Sequence, residues 1–213
     1  MTTTAITKAI TSLRDVRDRF NVTQTQAANF FAEWQFPLPD LSPSEQQTLA
    51  HLQHRYLYYL EQGDISEGTV NIIMVSPLLN ALGLCDPPYR IRGEKWVEIT
   101  VETDTDDGTE ILNGRMDAVV LQDHLWLVVV EGKRGGFNIF QALPQTLTYM
   151  MASPSPNQPV FGLVTNGYDY LFIKLLCGTH PQYALSHNFT LLSDEANNLT
   201  RVAQILKRLV VPS

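Results

Sequence analysis

Apolar positions along the chain recur with two different periods. From Ser42 to Gly63 the spacing is helical, with Leu49, Leu52, Tyr56, Tyr59 and Leu60 on one stripe. Ser42-Pro43-Ser44-Glu45 opens this helix as a capping box with proline in the first turn, and Gly63 closes it. Ile6, Ala9, Ile10, Leu13, Val16 and Phe20 predict an amphipathic helix over 5–20, with Lys8, Arg14, Arg17 and Arg19 at other positions. A short helix is predicted from Gln26 to Trp34, and Phe36-Pro37-Leu38-Pro39 ends it. Another follows Asp64 through Val70, Ile73, Met74 and Leu78 to Leu82, kinked at Pro77 and ended by Gly83. Asp64-Ile65-Ser66-Glu67 reads as a second capping box.

The middle of the chain reads as strands. Lys95 to Val101 alternates, with Val97, Ile99 and Val101 on one face. The acidic stretch 103–108 is a hairpin loop. Glu110 to Leu121 and Leu125 to Lys133 flank a three-residue turn, Gln122-Asp123-His124, and predict an antiparallel hairpin. Their continuous apolar runs suit the centre of a sheet covered on both faces. A helix is expected from about Asn138, distorted at Pro144. Val160–Thr165 and Asp169–Leu176 predict a second hairpin around Asn166-Gly167. The strand–helix–strand path from Leu125 to Thr165 is a right-handed crossover, which makes those two strands parallel and the sheet mixed. A short strand at 189–192 and a helix from about Asp194 to Val210, capped by Ser193, complete the expectation. The fold class is α/β: a central mixed sheet flanked by helices. Residues 1–41 form an N-terminal helical extension and 42–213 the main domain.

Length and composition fit this. The 213 residues are 44% hydrophobic and 17% charged, as in an ordinary globular chain. No apolar run approaches the ~18 residues of a membrane span. Met1-Thr2-Thr3-Thr4 lacks the regions of a signal peptide. Cys85 and Cys177 form no ligand or redox motif, so reduced thiols and a cytoplasmic location are expected. A net charge of −7 argues against a broadly basic nucleic-acid surface.

The chemistry is concentrated on the central hairpin. Glu131 and Lys133 are two apart on a strand, so they share a face, roughly 7 Å apart. Asp117 on the partner strand stands at a distance from the turn compatible with a place near Glu131. Charged groups enter a buried sheet when paired or metal-bound. Two carboxylates can hold Mg²⁺, and a lysine can stabilise charge on a phosphate. Gln145 and Tyr149 are four apart on a helix and share its face. A structural reading of the same residues is a Glu131–Lys133 salt bridge and a polar helix face with a core tyrosine.

Asp117, Glu131-Gly132-Lys133 and Gln145-Thr146-Leu147-Thr148-Tyr149, with Glu67 upstream, occur in the order found in one family. The chain resembles the PD-(D/E)xK nuclease superfamily over about residues 64 to 176. Within it, the resemblance is to the amino-terminal nuclease domain of type I restriction enzyme R subunits. Met116 stands where the name-giving proline would be. The resemblance implies a restriction-endonuclease-like fold and DNA hydrolysis. It makes Asp117, Glu131 and Glu67 the metal residues for Mg²⁺, with Mn²⁺ a plausible substitute. Lys133 would stabilise the transition state or activate water. Gln145 would orient a metal-bound water, and Tyr149 would contact a phosphate. The implied partners are DNA and a restriction-modification or other protein. The chain holds no G-x-x-x-x-G-K-[ST] pattern, so it cannot itself drive translocation. The competing expectation is an inactive nuclease-fold module for nucleic-acid binding or protein assembly.

Overall fold

The computed structural model describes residues 2–34, 37–102, 109–121, 125–129, 139–152, 158–192 and 197–210. In chain order the elements are β1 (Thr2–Ala5), α1 (Ile6–Ala9), α2 (Leu13–Phe20), β2 (Thr23–Gln24), α3 (Pro43–Gln62), α4 (Glu67–Val70), α5 (Ser76–Ala81), β3 (Ile91–Glu102), β4 (Thr109–Leu121), β5 (Leu125–Val129), α6 (Leu143–Met151), β6 (Val160–Thr165), β7 (Asp169–Leu176), β8 (Gln182–Leu185), β9 (Phe189–Thr190) and α7 (Asn198–Val210). One mixed sheet runs β1-β4-β5-β6-β7-β8-β2, with β3 also on β4 and β9 on β7. The chain is therefore α/β, as the periodicities predict. No described helix is long and apolar enough to cross a membrane.

Both faces of the sheet are covered. Leu125 joins one core with Tyr56, Met74, Leu163, Phe172 and Leu206, under α3, α5 and α7. Trp126, the next residue, joins the other with Ile6, Leu147, Met150 and Ile173, under α1 and α6. Alternate residues of one strand thus feed opposite cores, and this is why the apolar run is continuous. The central hairpin pairs antiparallel from Leu121↔Leu125 to Ala118↔Val128. β5 and β6 are parallel across α6, and β6 and β7 antiparallel, as expected.

The helix predicted over 5–20 is corrected to a strand and two short helices. β1 pairs in parallel with β4, Thr2↔Glu110 to Ala5↔Asn113. Ser12 then restarts the helix: its hydroxyl accepts from Asp15 N at 3.2 Å, and the Asp15 carboxylate accepts from Ser12 N at 2.8 Å. The apolar stripe itself holds, with Ile6, Ile10 and Val16 buried. The helix predicted at 26–34 is also corrected: only Ala32–Trp34 forms a 3₁₀ turn. Here long-range contacts outweigh local propensity. Thr23 and Gln24 pair with β8. Buried Lys174 donates to Phe30 O at 2.7 Å and Glu33 Oε1 at 2.6 Å. Residues 1–41 thereby add two strands to the same sheet, as well as helices.

α3 begins as predicted, with Ser42 and Glu45 in a reciprocal box and Pro43 in the first turn. Leu49, Leu52 and Tyr56 are buried, whereas Tyr59 is 41% exposed. The next helix is capped by Ser66, whose hydroxyl accepts from Thr69 N at 3.2 Å, so the predicted Asp64 box gives way to a cap two residues later. Its distortion near Pro77 is a π-helical turn over Asn71–Val75. Proline has no N–H to offer Ile73 O four residues back. Arg55 Nη1 donates to that carbonyl instead, at 3.4 Å.

Two long-range carboxylate contacts fasten these layers. Lys207 on α7 donates to Glu45 Oε1 at 2.7 Å, and Arg19 on α2 pairs with Glu110 on β4. Burial works to raise both pKa values. Hydrogen bonds from Lys207 and Ser42 at Glu45, and from Thr4 and Arg19 at Glu110, outweigh it and hold both below the ordinary value. Asp15 is held at about 2, chiefly by the Thr11 backbone N–H. Depressed carboxylate pKa values give stability that is complete above the unfolded value of ~4 and lost as pH falls through the folded values. Thermal melts should therefore be flat near pH 7 and fall between about pH 4 and 2, with a shallower fall for Glu45→Gln.

Candidate active site

β4 is the strand that carries Asp117. β3 runs along one edge of it, from Ile91↔Leu121 to Glu102↔Thr109. The other edge is shared: β1 pairs with residues 110–113 and β5 with 118–121. Gly114 to Asp117 lie between, where β1 has ended and the described β5 pairs have not begun. On the β3 side the register slips at the same level. Gly93 pairs with Val119 and Lys95 with Met116, so Glu94 alone faces Asp117 and Ala118. Such a bulge bends its strand and changes the local twist, a common device for re-aiming a side chain at a site.

The end of β5 leads to the same place. Its last described pair with β4 is Ala118↔Val128, one position short of Asp117. Glu131 and Lys133 follow Val129 by two and four residues, and both lie outside the described residues. Asp117 is placed by its backbone register. Beside Val129, on the parallel neighbour, is Thr165, followed by the turn at Asn166 and Gly167.

That turn is fixed by a buried hydrogen-bonded group. Asn166 Oδ1 accepts from Asp169 N at 2.8 Å and Tyr168 N at 3.2 Å. Thr165 Oγ1 accepts from Gly167 N at 2.9 Å. Tyr170 donates to Gly167 O at 2.9 Å, and Tyr56 of α3 donates to Asn166 O at 2.7 Å. Burial raises the pKa of both Tyr56 and Tyr170, so each stays a neutral donor. The C-terminal end of the β5–β6 pair is thus anchored to α3.

The remaining candidates stand on two different layers. Glu67 is half-buried in the first turn of α4, on the face of the sheet that carries α3 and α7. Its charge there also suits the positive end of the helix dipole. Gln145 and Tyr149 are on α6, over the opposite face. Gln145 is half-buried, and Tyr149 is 2% exposed. The Tyr149 hydroxyl reaches β4 itself: a Cβ built on Gly114 would lie 2.5 Å from it. The structure therefore brings Tyr149 to the strand that carries Asp117. It sets Glu67 on the opposite face of the sheet from Tyr149.

No protein-family model and no curated protein matches the chain.

Three features of this region were not anticipated from sequence: the register slip at Asp117, the Gly114–Tyr149 approach and the Tyr56–Asn166 anchor. Gly93 and Gly114, glycines within strands, were the available signals, since a glycine there marks a bulge or a close backbone approach.

Proposed function

We propose that the chain is a metal-dependent deoxyribonuclease of the restriction-endonuclease-like class. The observation that carries this reading is the position of Asp117. It occupies the register slip of β4, one position beyond the described β5 pairs, and Glu131-Gly132-Lys133 follow the last described residue of β5, Val129, by two to four positions. The resemblance in the order of Glu67, Asp117, Glu131, Lys133, Gln145 and Tyr149 supports the assignment.

Asp117 and Glu131 are hard oxygen donors, the type suited to Mg²⁺ or Mn²⁺. A divalent ion bound there supplies Lewis-acid neutralisation of phosphate charge and a more acidic water. Asp117 and Glu131 hold it, with Glu67 contributing from the layer of α3. Lys133 follows Glu131 by two residues, which in an extended strand places it on the same face. Its ammonium cannot ligate a cation, so its role is to meet charge growing on the phosphate oxygens. Gln145 orients the attacking water from α6. DNA is the proposed substrate, and a restriction-modification or other protein the proposed partner.

Lys133→Met tests the division of roles. Cleavage is expected to fall by roughly two to three orders of magnitude, the value of one preorganised charge-stabilising group. Mn²⁺ affinity, measured by calorimetry, should be unchanged or slightly higher. A methionine variant that nicks supercoiled plasmid as fast as the wild type removes Lys133 from the mechanism. If neither protein cuts DNA, the inactive-module reading takes its place.

A further inference from the structure

We propose that Gly114 and Tyr149 form a positioning contact that fixes the backbone of β4 where it carries Asp117. The inference rests on the nuclease reading and assigns Tyr149 to the strand instead of to a phosphate.

Gly114 comes directly after Asn113, the last residue of β4 that pairs with β1. On the β3 edge the ladder slips by one residue at Asp117. A strand whose ladder slips depends in part on packing for its position. The packing at Gly114 is close: an added Cβ would meet Tyr149 Oη at 2.5 Å and Ile6 Cβ and Cδ1 at 3.3 Å. Tyr149 is 2% exposed and Ile6 0% exposed, so neither has open space to move into. The tyrosine comes from α6, one turn after Gln145. One contact therefore ties the helix that bears Gln145 to the strand that bears Asp117. Three residues of strand, about 10 Å, separate Gly114 from Asp117. Glycine at 114 is what allows the hydroxyl to reach the backbone.

The geometry gives a rescue test. Gly114→Ala introduces the clash, and Tyr149→Phe removes the atom that is struck. Mn²⁺ affinity is read by calorimetry and folding by thermal melts, for the wild type, both single variants and the double variant. Gly114→Ala should weaken Mn²⁺ binding by about 10–100-fold, as loss of a supporting contact around a metal ligand typically does. Adding Tyr149→Phe should restore most of that loss. A change in melting temperature with unchanged Mn²⁺ affinity is what a merely structural contact predicts, and it overturns the proposal. So does a double variant that binds no better than Gly114→Ala. Should Gly114→Ala fail to fold, the double variant decides. If it folds and binds Mn²⁺ it supports the contact, and if it folds without binding it overturns it. A wild type that binds no Mn²⁺ overturns the nuclease reading and this inference together. Wild-type binding with Gly114→Ala unchanged overturns the inference alone.

Discussion

Gly167→Ala is expected to destabilise the chain by about 3–5 kcal/mol, combining overpacking with a residue held at positive φ. Gly167 has φ +97° at the turn between β6 and β7. Its added methyl would lie 2.2 Å from Tyr56 Cε2 and 2.8 Å from Cζ. Tyr56 cannot retreat, because it is 0% exposed and its hydroxyl donates to Asn166 O. In a chain of this size the loss corresponds to roughly 10 °C or more in Tm. Gly83→Ala is the control: φ is +69°, with nothing within 4 Å of the new Cβ. It should cost only the backbone part, about 1–2 kcal/mol. Equal melting temperatures for the two variants would show that Tyr56 does not pack on Gly167 as described.

The same turn shows what sequence can and cannot reveal. Asn166-Gly167 between two apolar runs announces a hairpin through local chemistry, and β6 and β7 have the predicted bounds. Ser42-Pro43-Ser44-Glu45 announces the start of α3 for the same reason. The anchor from Tyr56 to Asn166 spans 110 positions, and no local pattern encodes it. β1, β2 and β8 escaped the periodicity for a related cause. They are short, and β1 and β2 form on partners distant in sequence, such as Thr2↔Glu110 and Thr23↔Gln182. The restart of α2 was readable, since Ser12-Leu13-Arg14-Asp15 is itself a capping pattern, but the continuous apolar stripe masked it.

The candidate site divides in the same way. Gln145 and Tyr149 share a helical face by spacing alone. That Tyr149 ends against Gly114 depends on how α6 lies over the sheet, which spacing does not give. The slip at Asp117 depends on the opposing residues of β3, and Met116-Asp117-Ala118-Val119 read alone gives no sign of it. Glu131, Lys133 and the acidic loop at 103–108 lie outside the described residues, so their placement rests on the sequence pattern.

Asp117→Asn and Glu131→Gln are each expected to remove metal-dependent cleavage, with a rate loss of roughly 10³-fold or more. That is what several kcal/mol of lost metal-ion stabilisation corresponds to. On the proposed assignment each change would delete a charged oxygen ligand while keeping the side chain's shape. The fold should survive, and the metal-free form should melt at the same temperature or higher, because two carboxylates sharing the proposed site would repel each other. A large drop in Tm for either variant would instead give its carboxylate a structural role, such as the Glu131–Lys133 pair.

The most direct test of the nuclease assignment is nicking of supercoiled plasmid by the purified chain in Mg²⁺, beside Glu131→Gln at matched folded concentration. The account predicts nicking that requires Mg²⁺ or Mn²⁺, stops with chelator and is absent from the glutamine variant. A folded wild type that leaves plasmid intact in both metals, or a variant that nicks as fast as the wild type, would contradict it.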